Sequence, residues 1–217
     1  MKIILVCRHG EAFKNLKGVY GGQGSGLTEE GRRQITQLCK NIQNLTQPFP
    51  ISIYRSCDRV HVSESAEIIR NLLGVEEVRK SDLFKPIRLG IFDGMDRQRQ
   101  MQLYPKACGA HQKWEKGEID ITESECLVEG MQPALEYYEQ TKRFLLSLPD
   151  DGFHILVGTR SDLSCVQNVI NGQSPAIYKS YKCYRFPYAG VLLMMESDGV
   201  FKPLELDEGT NDLEIFK

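Results

Sequence analysis

The residues Arg8-His9-Gly10-Glu11 bring together two side chains that can handle a phosphoryl group. The planar guanidinium of arginine fits phosphate oxygens, and a neutral imidazole offers a nucleophilic nitrogen. Gly10 allows the backbone to turn tightly directly after them. Asn15, six residues beyond His9, is placed to return an amide to the same pocket. The pattern indicates an anion site with a histidine nucleophile; the alternative is a charged loop without chemistry.

These residues follow a short apolar run at residues 3–7, which is typical of a buried strand. The same order of apolar strand, polar turn and amphipathic helix returns at residues 51–73 and 154–170. Such alternation predicts a three-layer α/β/α fold with a mostly parallel central sheet. Open sheets of this kind bind ligands beyond the carboxyl ends of their strands, which is where Arg8 and His9 stand.

The periodicity gives expected bounds for the individual elements. Strands are predicted at 3–7, 51–54, 154–157 and near 190–196, and helices at 28–45, 60–73, 134–148 and 163–170. Residues 75–133 are less regular and predict a small helical insertion that roofs the pocket. The tail from residue 198 onward is polar and is expected to end on the surface. We expect one domain over residues 1–217, with the insertion at about 75–133.

Composition and charge indicate which binding partners and which cellular compartment to expect. The net charge is −2, so nucleic acid and anionic membranes are not expected as general partners. No run resembles a targeting segment or is long enough to span a bilayer. The seven cysteines are odd in number and form no Cys-x-x-Cys pair. We therefore expect reduced thiols in a cytoplasmic protein rather than a disulfide framework or a zinc site.

The motif Arg8-His9-Gly10-Glu11, followed by Asn15, resembles the signature of the histidine phosphatase superfamily, also called the phosphoglycerate mutase-like family. The similarity continues in the family's order and spacing through four further segments, at residues 27–34, 65–69, 89–94 and 186–191. Because these segments cover most of the chain, the resemblance implies the phosphoglycerate mutase-like fold.

The resemblance also implies phosphoryl transfer through a phosphohistidine. In the family, the motif histidine attacks phosphorus in line, while two arginines and a second histidine hold the equatorial oxygens. A carboxylic acid protonates the leaving oxygen. Carried over to this chain, His9 is the catalytic nucleophile, Arg8 is one of the clamps, and Asn15 contacts substrate or phosphate.

Three positions depart from the family pattern. The second arginine normally lies four residues before a threonine at which Ser65 stands, so its counterpart is His61. The second histidine normally follows the third apolar strand, where this chain has Arg160. The acid normally lies four residues before the glycine that Gly90 matches, and that position is Pro86, which cannot donate a proton.

His61 and Arg160 are consistent with a reciprocal exchange of an arginine and a histidine around one phosphate. On this hypothesis the phosphate-binding residues are Arg8, Asn15, His61 and Arg160. The alternative is drift in a pocket that no longer catalyses. Arg59, two residues before His61, is a second candidate for the missing arginine.

A missing general acid costs roughly 10²–10⁴ in rate, and a missing oxyanion donor roughly 10²–10³. Replacement proton donors would have to come from carboxylates that are expected at the surface, namely Asp93, Glu11, Glu123, Glu125 and Glu129. We therefore expect a divergent histidine phosphatase in which phosphatase or mutase catalysis is weak or lost.

The expected ligand is a phosphate-containing small molecule or a phosphoprotein, with no cofactor and no metal. One alternative is an active phosphomonoesterase that acts through a phosphohistidine at His9. Another is a non-catalytic interaction scaffold without an anion site. The sequence leaves the identity of the ligand and the oligomeric state open, with a homodimer among the options.

Overall fold

The computed structural model describes residues 2–17, 22–46, 49–206 and 213–214. The strands are β1 (Lys2–Arg8), β2 (Ile51–Arg55), β3 (Val78–Lys80), β4 (Gly152–Gly158), β5 (Val191–Ser197), β6 (Val200–Pro203), β7 (Glu205–Leu206) and β8 (Leu213–Glu214). The first six form one sheet in the order β3-β2-β4-β1-β5-β6, and β7 pairs with β8. Strands β3, β2, β4 and β1 are parallel, whereas β5 joins β1, and β6 joins β5, in antiparallel fashion.

The helices are α1 (Phe13–Leu16), α2 (Glu29–Thr46), α3 (Val60–Leu73), α4 (Arg97–Leu103), α5 (Pro105–Glu115), α6 (Ala134–Ser147) and α7 (Arg160–Ile170). Two short 3₁₀ turns lie at Gly90–Phe92 and Ser124–Cys126. Thr28 caps α2, because its Oγ accepts the N–H of Gly31 at 3.0 Å. None of the helices in the described ranges is long and apolar enough to cross a membrane.

Alternation along β1 distributes its side chains to two separate cores. Ile3 and Leu5 pack into the cluster that α2 and α3 cover, whereas Ile4 and Val6 pack into the cluster that α6 and α7 cover. All four side chains are at most 4% exposed. A strand buried on both faces is typical of a parallel sheet between two helical layers. The predicted three-layer α/β/α fold with a mostly parallel sheet is confirmed.

Two edges of the sheet differ from the sequence prediction. β3 was not predicted, because it has only three residues and two of them are charged. β6 gives an ordered antiparallel edge to part of the tail that was expected only to end on the surface. Each strand pairs along its backbone and packs one apolar side chain against a core cluster, Val78 in β3 and Phe201 in β6, which is too few for an alternating pattern. Residues 207–212 and 215–217 of the tail lie outside the described residues.

Helix α7 begins at Arg160, three residues earlier than predicted, and this places Arg160 in the helix instead of the preceding turn. A capping box causes the early start. The carboxylate of Asp162 accepts the backbone N–H of Thr159 at 2.7 Å and its hydroxyl at 2.9 Å. The spacing Thr-x-x-Asp was visible in the sequence as a helix start signal.

Candidate active site

The turn that follows β1 is hydrogen-bonded to the end of β4 and to the segment that precedes β5. The N–H of Arg8 donates to the carbonyl of Gly190 at 2.9 Å, and the N–H of His9 donates to the carbonyl of Gly158 at 2.9 Å. Strands β1 and β4 stay in register up to the pair Arg8–Gly158. The carboxyl ends of β1 and β4 therefore meet at one edge of the sheet, where the α/β pattern predicts a ligand site.

Close backbone contact between this turn and the start of α2 leaves no space for side chains. A Cβ added to Gly31 would lie 2.1 Å from the carbonyl oxygen of Glu11, and one added to Gly10 would lie 2.3 Å from the carbonyl oxygen of Gly31. The Glu11 carboxylate accepts the hydroxyl of Thr28 at 2.8 Å. Glu11 is thus engaged at the start of α2, which makes it a poor replacement for the missing acid.

His9 and His61 form a direct ring contact inside the protein. Their ring centroids are 4.3 Å apart and the planes meet at 68°, edge to face. His9 is 3% exposed and His61 is 0% exposed. The Nδ1 of His9 lies 2.7 Å from the carbonyl oxygen of Gly10, so Nδ1 is the protonated nitrogen. Nε2 of His9 is then the nitrogen that carries the free lone pair.

The first turn of α3 and the segment around Gly24 fix the position of His61. The hydroxyl of Ser65 donates to the carbonyl of His61 at 2.7 Å and accepts the N–H of Gly10 at 3.2 Å. Gly24 has a φ of +88°, and a Cβ there would lie 2.7 Å from Nδ1 of the His61 ring. His61 is therefore tied to the same turn that carries His9, and its predicted contact with phosphate stays a prediction.

The electrostatics of the pocket keep the two rings neutral and the surroundings positive. Burial lowers the pKa of His9 well below its usual value, and the neighbouring His61 lowers it further. Burial lowers the pKa of His61 to about 3, with contributions from Lys14 and Arg59. Burial followed by repulsion from Arg59 lowers the pKa of Lys14 to about 8. Converging positive groups of this kind favour an anion between them.

The side chain of Arg8 is oriented by the segment that precedes β5. Its Nη1 donates to the carbonyl of Phe186 at 2.6 Å, and its guanidinium lies 4.0 Å from the ring centroid of Tyr188. Its Nε is buried and has no hydrogen-bond partner within the described ranges. A buried donor that lacks an acceptor is costly. Arg8 is thus oriented to donate to an incoming acceptor.

Arg160 lies near Arg8 but is paired with the insertion. Burial lowers the pKa of Arg8, and repulsion from Arg160 is among the further causes of the lowering. Nη2 of Arg160 is 3.5 Å from Oε1 of Glu115, and Oε2 of Glu115 is 3.6 Å from Nη1 of Arg97. Glu115 at the end of α5 therefore connects the insertion to the edge of the pocket.

Within the described ranges, the structure does not bring the remaining predicted residues into contact with His9. Oδ1 of Asn15 accepts the N–H of Ala12 at 3.1 Å and caps α1, so its contact with phosphate stays a prediction. Arg59 precedes α3 and pairs with Asp93 at 3.2 Å. Pro86 borders an open hollow whose other walls include Arg55, Cys57, Asp58, Lys80 and Lys85.

Sequence reasoning missed Glu115, because a carboxylate at the end of an irregular insertion carries no signal of what it faces. Two of the proton donors suggested from sequence, Glu11 and Asp93, are engaged by other polar groups. Asp93, for example, accepts the N–H of Gly22 at 3.0 Å in addition to its pair with Arg59. Among the residues that the structure describes, no three His, Cys, Asp or Glu side chains lie close enough to hold a metal ion.

Comparison with known proteins gives a consistent family and fold. Residues 4–143 match the family model of the histidine phosphatase superfamily, branch 1. No curated protein matches the chain significantly.

Several solved structures superpose on nearly the whole chain. Bacillus stearothermophilus YhfR has a TM-score of 0.75 and 17% identity, with 94% of this chain and 95% of that chain covered. Phosphoserine phosphatase from Entamoeba histolytica has a TM-score of 0.72 and 18% identity, with 97% and 99% covered. A mycobacterial glucosyl-3-phosphoglycerate phosphatase, solved with VO3, has a TM-score of 0.71 and 18% identity, with 94% of this chain and 97% of that chain covered. At these identities the likeness shows a shared fold.

Proposed function

The chain belongs to the histidine phosphatase superfamily, branch 1, and from this membership we propose that it binds a phosphate-bearing ligand beside His9 and turns it over slowly or not at all. The ligand is a phosphorylated small molecule or a phosphoprotein. One observation carries the proposal: the buried, neutral ring of His61 contacts His9 at the position where the family pattern has a charged arginine.

Binding of the phosphate group rests on the charges around the pocket. Arg8 offers a buried Nε donor to an acceptor. Lys14, Arg59 and Arg160 add positive charge close enough to lower the pKa of a neighbouring basic group. A phosphate dianion placed there gains charge-assisted hydrogen bonds and relieves the mutual repulsion of these groups.

Weak catalysis follows from two features of the pocket and from one further departure from the family pattern. Neutral His61 offers no charge to the equatorial oxygens of the transition state. The ion pair with Glu115 partly offsets the charge of Arg160, which weakens its attraction for a phosphate. Pro86 supplies no proton to the leaving oxygen. Such losses are not simply additive. Neutral His61 and paired Arg160 weaken the hold on the phosphate in the bound ligand as well as in the transition state, whereas Pro86 affects the transition state alone.

An active phosphomonoesterase that acts through His9 is the second candidate, and one observation favours it. The bond between Nδ1 of His9 and the Gly10 carbonyl leaves Nε2 unprotonated, as a nucleophile requires. The lowered pKa keeps the ring in that state at neutral pH. Esters with good leaving groups need little protonation and are the substrates on which such an activity would be detected first.

Titration with inorganic phosphate and orthovanadate tests the binding proposal. Wild type is expected to bind both anions, and Arg8→Gln is expected to bind them about tenfold to a hundredfold more weakly, because a charged hydrogen-bond donor is lost. Arg143→Gln on the exposed face of α6 is the matched control and should bind like wild type. Calorimetry that detects no binding to wild type would reject the anion site and support the interaction scaffold.

A further inference from the structure

A cavity of about 190 Å³ lies between the insertion and the core, next to Arg160. Its walls come from the 3₁₀ turn at Gly90–Phe92, helix α5, the start of α6 and the segment that precedes β5. Most of its lining is apolar or aromatic, including Phe92, His111, Trp114, Ile121, Met131 and Tyr181. His9 is not among the lining residues, so this cavity is distinct from the pocket of the two histidines.

Aromatic rings form a continuous wall along the cavity. Trp114 stacks on Tyr181 with 6.2 Å between centroids and 14° between planes. His111 lies 6.4 Å from Trp114 and 6.0 Å from Phe92. Trp114 and Tyr181 therefore lie nearly parallel, whereas His111 meets Trp114 at 79° and Phe92 at 59°. A further ring can contact such a wall face to face or edge to face, the two arrangements that aromatic pairs favour.

Two polar atoms of this wall are buried and unpaired. Nε1 of Trp114 and Nε2 of His111 have no hydrogen-bond partner within the described parts of the chain. The backbone of Cys126 hydrogen-bonds the His111 ring, so the other nitrogen of that ring is engaged. A buried indole N–H normally finds an acceptor. These atoms are placed to hydrogen-bond an oxygen on a group that enters the cavity.

The cavity has one charged end, and that end faces the phosphate pocket. Arg160 and Glu115 both line the cavity. Arg160 begins α7 two residues beyond Gly158, which pairs with Arg8 in the sheet, and its charge is among the causes that lower the pKa of Arg8. An anionic group held by Arg8 and Arg160 would therefore have its organic part directed towards the aromatic wall. One ligand that makes both contacts gains from each, because binding of its first part places the second part beside its site.

We propose that this cavity receives the ring of an aryl phosphomonoester whose phosphate lies against Arg8 and Arg160. The inference rests on the proposed phosphate site and names its ligand class. A cavity of about 190 Å³ is large enough for one aromatic ring, since an engineered cavity of about 150 Å³ accepts benzene. A ring oxygen, such as a phenolic hydroxyl, pairs with Trp114 or His111. Phosphates of small polar alcohols leave the aromatic wall unused.

Trp114 is the only tryptophan of the chain, so its emission reports directly on the cavity. The probes are methyl phosphate, phenyl phosphate and 4-hydroxyphenyl phosphate, with affinities measured by calorimetry and emission recorded in parallel. Phenyl phosphate is expected to bind about tenfold to a hundredfold more tightly than methyl phosphate, because a ring is buried. Both aryl esters should change the Trp114 emission saturably, whereas methyl phosphate should not.

A variant that fills the cavity tests whether the preference for aryl esters depends on it. Ala134 lines the cavity, and Ala134→Leu should remove the preference for phenyl over methyl phosphate while affinity for inorganic phosphate stays within about twofold. Ala176→Leu makes the same change at an exposed position and should keep the preference. Calorimetry with inorganic phosphate checks that the filled variant is folded.

Two results would separate this inference from the proposed function. Equal affinities for methyl and phenyl phosphate, with unchanged Trp114 emission, would overturn the aryl cavity and leave the phosphate site standing. A saturable change in emission with phenol, together with no binding of any phosphate ester, would show that the cavity accepts a ring but would reject the phosphate site, and with it an aryl phosphomonoester as the ligand.

Discussion

The pocket of His9 and the cavity behind Arg160 lie side by side but are built in opposite ways. Around His9 the backbone makes the site: strand ends, short hydrogen bonds and glycine contacts leave no room for added side chains. Behind Arg160 the side chains of an insertion make the site, and they enclose about 190 Å³. The first region is closely packed and positively charged, whereas the second is open and aromatic.

This difference separates the two tasks of a phosphate-ester site. A backbone-built turn fixes the position of the phosphate, because strand ends move only when the sheet moves. A wall of side chains selects the organic part of the ligand, because it changes shape by substitution without disturbing the sheet. Arg160 and Glu115 join the two regions, one from the core and one from the insertion.

The largest expected effect comes from restoring the family pattern in the backbone-built pocket. The triple variant Pro86→Glu, His61→Arg and Arg160→His should raise 4-nitrophenyl phosphate hydrolysis about 10²-fold or more, because it returns an acid and a charged clamp. Adding His9→Ala to the triple variant should abolish the gain. A folded triple variant with no gain would mean that these three positions are not what limits catalysis.

The close packing near His9 predicts a sharp stability difference between two glycines. Gly31→Ala forces a Cβ to 2.1 Å from a backbone oxygen and should destabilise the protein by roughly 1–3 kcal/mol, lowering the melting temperature by several degrees. Gly109→Ala in α5 meets nothing within 4 Å and should stabilise by roughly 0.5–1 kcal/mol. Equal melting temperatures for the two variants would contradict the contrast between regions.

The buried neutral histidine predicts a loss of stability in acid. The pKa of His61 is about 3 in the folded protein and about 6.5 when unfolded. Between these values the unfolded chain binds a proton that the folded protein does not, so the unfolding free energy falls as pH drops below about 6.5. From pH 7 to 5 this group alone should cost about 2 kcal/mol.

Denaturant unfolding of wild type and His61→Gln at both pH values checks this expectation. The stability advantage of wild type over the variant should shrink by about 2 kcal/mol on acidification, since glutamine does not titrate. A difference that stays constant with pH would show that His61 titrates normally in the folded protein.

The smallest effect is expected where the two regions meet. Glu115→Gln weakens the hold on Arg160 and should tighten phosphate binding about twofold to fivefold, as expected for a partly exposed ion pair. Glu118→Gln, at an exposed position three residues on, is the control. Unchanged calorimetric affinity in Glu115→Gln would mean that Arg160 does not take part in phosphate binding.

The backbone-built region was largely predictable from the sequence, whereas the aromatic cavity was not. Strand periodicity and the Arg8-His9-Gly10 motif placed His9 at the correct sheet edge, and spacing from Ser65 led to His61. The cavity depends on how α4, α5 and the 3₁₀ turns fold back on the core. Residues 75–133 have no periodic pattern from which that packing could be predicted. The ion pair between Arg160 and Glu115, and the position of Trp114 in the cavity wall, were therefore seen only in the structure.

The most direct test of the central claim is steady-state hydrolysis of 4-nitrophenyl phosphate by wild type and His9→Ala, using wild-type protein shown to bind phosphate. The account predicts wild-type turnover far below about 1 s⁻¹, the lower end of the usual enzyme range. Rapid wild-type turnover that is abolished in His9→Ala would contradict it and establish a working phosphatase.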